Sequence, residues 1–300
     1  MQFTKMHGIG NDYLFINGFE FDVVEPMRLA RVMSDRHRGV GSDGLILMLP
    51  PDPSLACNGR AHLRMRMFNA DGSEAEMCGN GIRCVCKWAY DHQITPTIRS
   101  AKPMMVQTSA GVLALDYMLD ADGKVDQVTV DMGEPVLDPE RLGINMVGVK
   151  QIVNHASPIQ FGSWAEAAGL DRRMTCVSVG NPHAVFYVQQ AAEVPLEQIG
   201  PQIERHDLFA NRINVHFVQV HNEQEVTIRT WERGSGVTLA CGTGATAVCV
   251  AGVLTDRTGR NLQAHLPGGD LCLQWRESNH HVYLTGPAAE VFEGHWKAGT

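Results

Sequence analysis

The 300-residue sequence predicts an α+β fold made twice: two pseudo-symmetric domains, each a mostly antiparallel set of strands with one long helix. Three observations predict it. Residues 78–85 (Cys-Gly-Asn-Gly-Ile-Arg-Cys-Val) and 241–248 (Cys-Gly-Thr-Gly-Ala-Thr-Ala-Val) each set a cysteine before a Gly-x-Gly turn that leads into a helix-like apolar pattern. What precedes them repeats too: Asn69 and Glu232 each lie nine residues before their cysteine, and Gly10-Asn11-Asp12 has a counterpart in Gly180-Asn181-Pro182-His183. Around each helix the chain alternates in short segments bounded by hairpin turns. A duplicated fold is the economical account. If the halves face each other, two thiols point into one cleft.

In chain order, strands are expected at Gln2–Lys5 and Tyr13–Asn17, with Asn11 in the turn between them. Pro26–His37 reads as a helix with proline in its first turn. Gly39-Val40-Gly41-Ser42-Asp43-Gly44 matches the dinucleotide fingerprint in letters only, because a helix precedes it and the strand Leu45–Leu49 follows. Residues 50–60 form a surface loop and His62–Asn69 a strand. Ile82, Val85, Cys86 and Ala89 then recur with the period of a half-buried helix. Residues 98–118 and 125–132 alternate as strands, and Gly133-Glu134-Pro135 is the expected crossing into the second half. The stretch 136–172 is polar and poorly periodic. Strands follow at Thr175–Val179 and Ala184–Val188, a helix at Ile199–His206, and strands at Asn214–Val220 and Glu225–Thr230. Gly242-Thr243-Gly244-Ala245-Thr246-Ala247 opens a helix, yet its possible strand, Val237–Ala240, is short and the nearest acid, Asp256, is too close for nucleotide binding. Ala245–Leu254 is apolar on nearly every side, as in a helix buried all round. Leu271–Trp275 and Val282–Thr285 complete the strands.

A composition of 44% hydrophobic and 19% charged residues is that of an ordinary folded protein. With a net charge of −8 and scattered Lys and Arg, no nucleic-acid partner is expected. No run approaches the roughly 18 apolar residues of a membrane span, and the Met-Gln-Phe-Thr-Lys start lacks the apolar region of a secretory signal. The expectation is a cytoplasmic protein whose eight cysteines stay reduced, with Cys84, Cys86 and Cys249 as small core residues.

Cys78 and Cys241 each sit at a predicted helix N-terminus, where unpaired N–H groups and the helix dipole favour a thiolate. Between two such thiols a carbon acid can lose a proton from one face and gain one on the other, which inverts its configuration. The backbone N–H groups of Gly79, Asn80, Gly242 and Thr243 would hold the carboxylate beside the reacting carbon. A metal cluster of Cys78, Cys84 and Cys86 lacks a matching Cys/His pair. A Cys–His hydrolase leaves the second Cys-Gly-x-Gly unexplained, a pyridoxal-phosphate racemase lacks a marked lysine, and a non-catalytic nucleotide or ligand binder stays open.

Several motifs now stand in order: Gly8-Ile9-Gly10-Asn11-Asp12, Phe68-Asn69-Ala70-Asp71-Gly72-Ser73-Glu74, Cys78-Gly79-Asn80-Gly81, Gly180-Asn181-Pro182-His183, Arg212-Ile213-Asn214, Trp231-Glu232-Arg233-Gly234 and Cys241-Gly242-Thr243-Gly244. With them the sequence resembles the diaminopimelate epimerase family along essentially its whole length. The resemblance implies two domains, 1–130 plus 287–300 carrying Cys78 and 131–286 carrying Cys241, each a curved sheet wrapped around a central helix, with the last strand returning to the first domain. It implies a cofactor-independent, metal-free epimerase that interconverts LL- and meso-diaminopimelate in lysine and peptidoglycan precursor synthesis, as a cytoplasmic homodimer. A related racemase for another amino acid is the alternative. By the same resemblance Cys78 and Cys241 are the acid/base pair, and Gly79, Asn80, Gly242 and Thr243 bind the reacting carboxylate. Asn11, Asn69, Asn181, Asn214, Glu232 and Arg233 hold the rest of the substrate, while His183 and Glu232 assist the thiols. Some family members carry glutamine where this chain has Gly44.

Overall fold

The computed structural model describes residues 1–54, 61–75 and 77–297; Cys57 and the far end of the loop predicted over 50–60 lie outside the described residues. The chain divides into two compact units, Met1–Asp131 with Thr285–Thr300 (unit 1) and Met132–Leu284 (unit 2). Among the described residues no helix is long and apolar enough to cross a membrane.

Unit 1 opens with β1 (Gln2–Gly8) and β2 (Asn11–Asn17) as an antiparallel hairpin. Its turn holds Ile9 and Gly10 at φ 46° and 87°, so Asn11 is the first residue of the second strand and not part of the turn. A β-branched residue in the left-handed region is strained. Helix α1 (Pro26–Ser34) ends three residues before the expected His37. There Asp35 Oδ1 accepts from the N–H groups of His37 and Arg38, turning the chain. Next come β3 (Gly44–Leu49), parallel to β2, then β4 (Leu63–Asn69), antiparallel to β3, and the short β5 (Glu74–Ala75). Helix α2 (Gly79–Asp91) is not half-buried as its period predicts: every residue from Gly79 to Cys86 is buried, including Arg83. A small helix α3 (Pro96–Ser100), capped by the Thr95 hydroxyl, occupies the start of the stretch expected to be strand. After it β6 (Met104–Thr108) lies parallel to β4, followed by β7 (Gly111–Leu119) and β8 (Val125–Asp131). Strands β1, β2, β7 and β8 all pack on α2.

Unit 2 repeats this plan. A lead segment contains β9 (His155–Ala156) and α4 (Trp164–Ala167). Though poorly periodic, it buries Leu142, Ile144, Ile152 and Ile159 in the core. Then β10 (Arg173–Ser178) and β11 (Pro182–Val188) form a hairpin, and α5 (Leu196–Glu204) crosses to β12 (Asn214–Asn222), parallel to β11. Antiparallel to β12 lies β13 (Glu225–Glu232), with the short β14 (Gly236–Val237) beside it. Helix α6 (Gly242–Leu254) crosses to β15 (Asn261–Leu266), parallel to β13, and β16 (Gly269–Trp275) completes a hairpin. Strand β17 (Val282–Pro287) leads the chain back into unit 1, where β18 (Ala289–His295) pairs antiparallel with β1. The strand pattern read along the sequence contained neither β15 nor β18, the latter being expected only as the last strand that the resemblance returns to the first domain.

Each parallel pair is bridged by a helix, since a hairpin cannot join parallel strands. The registers coincide as well. Tyr13 faces Gly44 across β2–β3 just as His183 faces Asn214 across β11–β12. Gly44 in turn faces Asn69, and Val215 faces Trp231, so Asn69 and Glu232 occupy corresponding places. The unit 2 core is knit by aromatic contacts: Phe217 stacks on Phe186 at 5.6 Å and meets Trp164 edge-on at 5.7 Å. Phe217 is fully buried. Its replacement by alanine is expected to cost about 3–5 kcal/mol, read as a lowered midpoint in urea unfolding.

Candidate active site

In unit 1 the site is built on the first turn of α2. Cys78 is its N-cap in extended conformation (φ −137°, ψ 121°), and Gly81 N–H donates to its Sγ at 3.5 Å. A helix N-cap normally offers an oxygen to this N–H; here a sulfur takes the place. The Tyr13 hydroxyl donates to the same sulfur from 3.6 Å, while Asn11 Oδ1 lies 3.4 Å away as acceptor for the thiol. Burial, with the Cys78 charge behind it, pushes the Tyr13 phenol well above its ordinary range, so it remains a donor. Asn11 is itself fixed: Asn80 Nδ2 donates to its Oδ1 at 3.2 Å, and its Nδ2 donates to Asp43 Oδ2 at 2.7 Å. Arg36 and Lys5 tie Asp43 and Asp12 into one network. Burial opposes ionisation of Asp12, but Arg36 and Lys5 outweigh it and hold the carboxyl below its ordinary value. Asn69 is engaged by its own turn, its Nδ2 donating to Ser73 Oγ at 3.0 Å. At Gly44 a Cβ would stand 2.2 Å from the Phe68 carbonyl oxygen, which explains glycine there.

In unit 2 Cys241 is the N-cap of α6, again extended (φ −123°, ψ 101°) but only 3% exposed. Burial first and the Glu232 carboxylate second push its thiol well above the ordinary value. The expectation that both helix N-termini favour a thiolate therefore fails for Cys241. Thr243 Oγ1 lies 3.6 Å from its Sγ, and the Thr238 hydroxyl donates to Glu232 Oε1. Asn214 positions the neighbouring turn: its Nδ2 donates to the Pro182 carbonyl at 2.9 Å and its Oδ1 accepts Arg233 N–H at 2.9 Å. Arg233 is exposed, and its Nη1 donates to the Asn211 carbonyl.

Beneath Cys241 runs a buried chain of hydrogen bonds. His183 Nε2 meets Asn181 Oδ1 at 2.8 Å, His183 Nδ1 meets His216 Nε2 at 2.9 Å, and His216 Nδ1 meets Thr230 Oγ1 at 2.9 Å. The amide oxygen only accepts, which assigns one direction throughout: His183 Nε2–H donates to Asn181, His216 Nε2–H donates to His183, and the Thr230 hydroxyl donates to His216. Both rings are neutral in this arrangement. Burial lowers both pKa values, that of His183 well below its ordinary range with help from His216 and Arg233, and that of His216 to about 3. Gly244 allows the contact, since a Cβ there would stand 2.2 Å from His216 Cε1 and 3.0 Å from Cys241 Sγ.

The structure thus gathers Cys78, Asn11, Gly79 and Asn80 at one helix end, and Cys241, Gly242, Thr243 and Glu232 at the other. His183 with Asn181, and Asn214 with Arg233, complete the second set. Cys84 and Cys86 are fully buried thiols, and burial pushes Cys84 up to about 12. Sequence reasoning missed Tyr13 and His216. Tyr13 was within reach, because extending the repeat by one residue aligns Gly10-Asn11-Asp12-Tyr13 with Gly180-Asn181-Pro182-His183. His216 had only the signal of a lone imidazole on an apolar strand.

The two neutral imidazoles set a pH dependence. They take up protons on unfolding below about pH 6.5, so stability is full above that pH and is lost as the pH falls toward the folded value of about 3 for His216. The expected slope is about 1.4 kcal/mol per pH unit from His216, with His183 adding to it. Urea unfolding across that window checks it, and His216→Leu should flatten the fall.

Comparison with known proteins identifies the family. The family model described as diaminopimelate epimerase matches residues 3–137 and 175–291. A diaminopimelate epimerase of Acetivibrio thermocellus is 49% identical over 294 residues, 98% of each chain. One of Methanococcus maripaludis is 46% identical, covering 98% of this chain and 99% of its own. Among solved structures, a Bacillus anthracis phenazine biosynthesis protein of the PhzF family superposes with a TM-score of 0.69 at 14% identity over 98% of both chains. A hydroxyproline epimerase of Agrobacterium vitis does so with 0.64 at 16%, over 98% and 90%. These two share the fold. The full-length relatives and the family model together establish that the chain belongs to the diaminopimelate epimerase family of isomerases.

Proposed function

We propose that this enzyme interconverts LL- and meso-2,6-diaminopimelate by a two-base proton transfer at the α-carbon, with Cys78 and Cys241 as the acid/base pair and no cofactor. One thiolate removes the α-proton, leaving a carbanion stabilised by its carboxylate. The other thiol gives its proton to the opposite face and becomes the thiolate in turn. The observation that carries this reading is the equivalence of the two cysteines. Each caps a buried 13-residue helix at the same point of a repeated topology, in a member of this family.

The remaining roles follow from chemistry. An α-proton beside a carboxylate is weakly acidic, so the developing negative charge needs fixed donors. The first-turn N–H groups of Gly79, Asn80, Gly242 and Thr243 supply them. Arg233 pairs with the distal carboxylate, and Glu232 with the amide oxygens of Asn11, Asn69, Asn181 and Asn214 receives ammonium protons. His183 and Glu232 tune the thiols. Residues 1–130 with 287–300 act as one epimerase domain and 131–286 as the other. The same reading places the enzyme, as a cytoplasmic homodimer, in lysine and peptidoglycan precursor synthesis.

Incubation with LL-diaminopimelate in deuterated water is expected to load deuterium at the α-carbon of the meso product; unlabelled or unchanged substrate would overturn the proposal. Alanine at either cysteine should lower turnover by at least about a hundredfold, while a non-catalytic binder would be indifferent to both substitutions.

A further inference from the structure

We propose that Arg83 is a positioning residue whose buried charge keeps Cys78 ionised in the resting enzyme, so that the two halves meet the substrate in unlike protonation states. The proposal rests on the reading of Cys78 as an acid/base residue.

Arg83 is 0% exposed, an unusual place for a guanidinium. A buried cation is normally matched by a carboxylate, because the desolvation cost is otherwise uncompensated. Among the described residues Arg83 has none. Its Nη1 donates to the Gly79 carbonyl at 2.9 Å, its Nε donates to the Pro287 carbonyl at 3.2 Å, and its Nη2 is without a partner. The guanidinium packs against β1 where only glycine leaves room: a Cβ at Gly8 would stand 2.9 Å from Nη2. The bond to the Gly79 carbonyl, one residue past Cys78, sets the guanidinium at the first turn that Cys78 caps; burial disfavours its charge, and Cys84 and Cys78 are the titratable groups that oppose this. Cys84 is buried deep in the helix and stays a neutral thiol. Cys78 is half-buried at the helix N-terminus, where the Tyr13 hydroxyl and Gly81 N–H are aimed at its sulfur against the one acceptor, Asn11 Oδ1 at 3.4 Å. The anion that answers Arg83 is therefore the Cys78 thiolate.

The duplicated half supplies a control. Arg83 and Thr246 both stand five residues after their cysteine. Thr246 is equally buried, and its hydroxyl donates to the Gly242 carbonyl at 2.9 Å, the bond that Arg83 makes to Gly79. A neutral side chain thus satisfies that carbonyl in the same packing environment, and the charge at position 83 needs another reason. Around Cys241 the charges run the other way, with the Glu232 carboxylate beside the thiol and two neutral imidazoles behind it. The other groups facing Cys78 do not reproduce the effect of Arg83. From β2 the neutral Tyr13 phenol donates to it, and Asp43 stands behind Asn11, its carboxylate paired with Arg36 at 2.9 Å.

The test is the pH dependence of iodoacetamide alkylation at Cys78 and Cys241, followed by peptide mass spectrometry on the full chain without substrate. Cys78 should titrate below the ordinary thiol value of about 8.5 and Cys241 above it. Arg83→Met should raise the Cys78 apparent pKa by about one unit or more, seen as roughly tenfold slower alkylation at neutral pH. Arg83→Lys, which keeps the charge, should recover most of the loss, and Cys241 should titrate alike in all three proteins. A Cys78 profile unmoved in Arg83→Met, or a lysine variant no better than methionine, overturns the proposal. If the methionine variant does not fold, the wild-type curve decides: a Cys78 pKa at or above the ordinary value overturns it and one below supports it. Because no substrate is present, failure of deuterium exchange into diaminopimelate would leave this readout intact.

Discussion

A helix enclosed by strands can offer unpaired backbone N–H groups only at its first turn, and in both units a cysteine stands at that turn. The enclosure is what the surrounding sequence has to achieve. Helix α6 does so with small residues, Gly-Thr-Gly-Ala-Thr-Ala, along which neighbouring side chains approach closely enough to touch, as His216 does at Gly244. Helix α2 does so with Gly81, where a Cβ would stand 2.7 Å from Ile46, and with a guanidinium laid against the bare backbone of Gly8. Once the sides are closed, the dipole and the donors are concentrated at one end. The unpaired N–H groups that could hold an anion are at that end alone, while the far turns, partly exposed at Lys87, Tyr90 and Asp91 of α2, offer none.

The repeat was legible because it is carried by residues with few substitutes. A glycine after each cysteine, and Asn11 and Asn181 at corresponding strand starts, survive as letters and located the start of both helices. Burial was less legible. The apolar period of α2 counts Ile82, Val85, Cys86 and Ala89 but reads Arg83 as a solvent face, whereas tertiary packing covers it. Strand β15 alternates between buried and exposed positions, a pattern present in Asn-Leu-Gln-Ala-His-Leu, but β18 exposes most of both faces and carries no periodic signal. The Thr95-Pro96 start of α3 was available as a cap and first-turn proline, and alternation beyond it concealed it. The lead segment of unit 2 buries isolated isoleucines from irregular backbone, which no period describes.

Equivalent positions in the two halves have taken on different work. Tyr13 donates a hydroxyl to its cysteine, while His183 at the matching place passes its hydrogen bond to a second imidazole. Gly44 is a bare backbone against Phe68, while Asn214 at the same register braces Pro182 and Arg233. Asn69 closes a turn, and Glu232 crowds a thiol with negative charge. A shared scaffold therefore presents two different electrostatic surroundings to two identical functional groups, and the difference resides in side chains that the backbone repeat leaves untouched.

The pairing of β1 with β18 joins residue 2 to residue 295, and Met1 and Trp296 exchange two backbone hydrogen bonds beyond it. Unit 2 is thus spliced into unit 1 as one continuous segment. Strand β1 is made before all of unit 2, so its edge toward β18 stays unpaired until that inserted segment has been synthesised. Domains generally fold as units during synthesis, so the inserted half can complete its core while β1 still lacks β18.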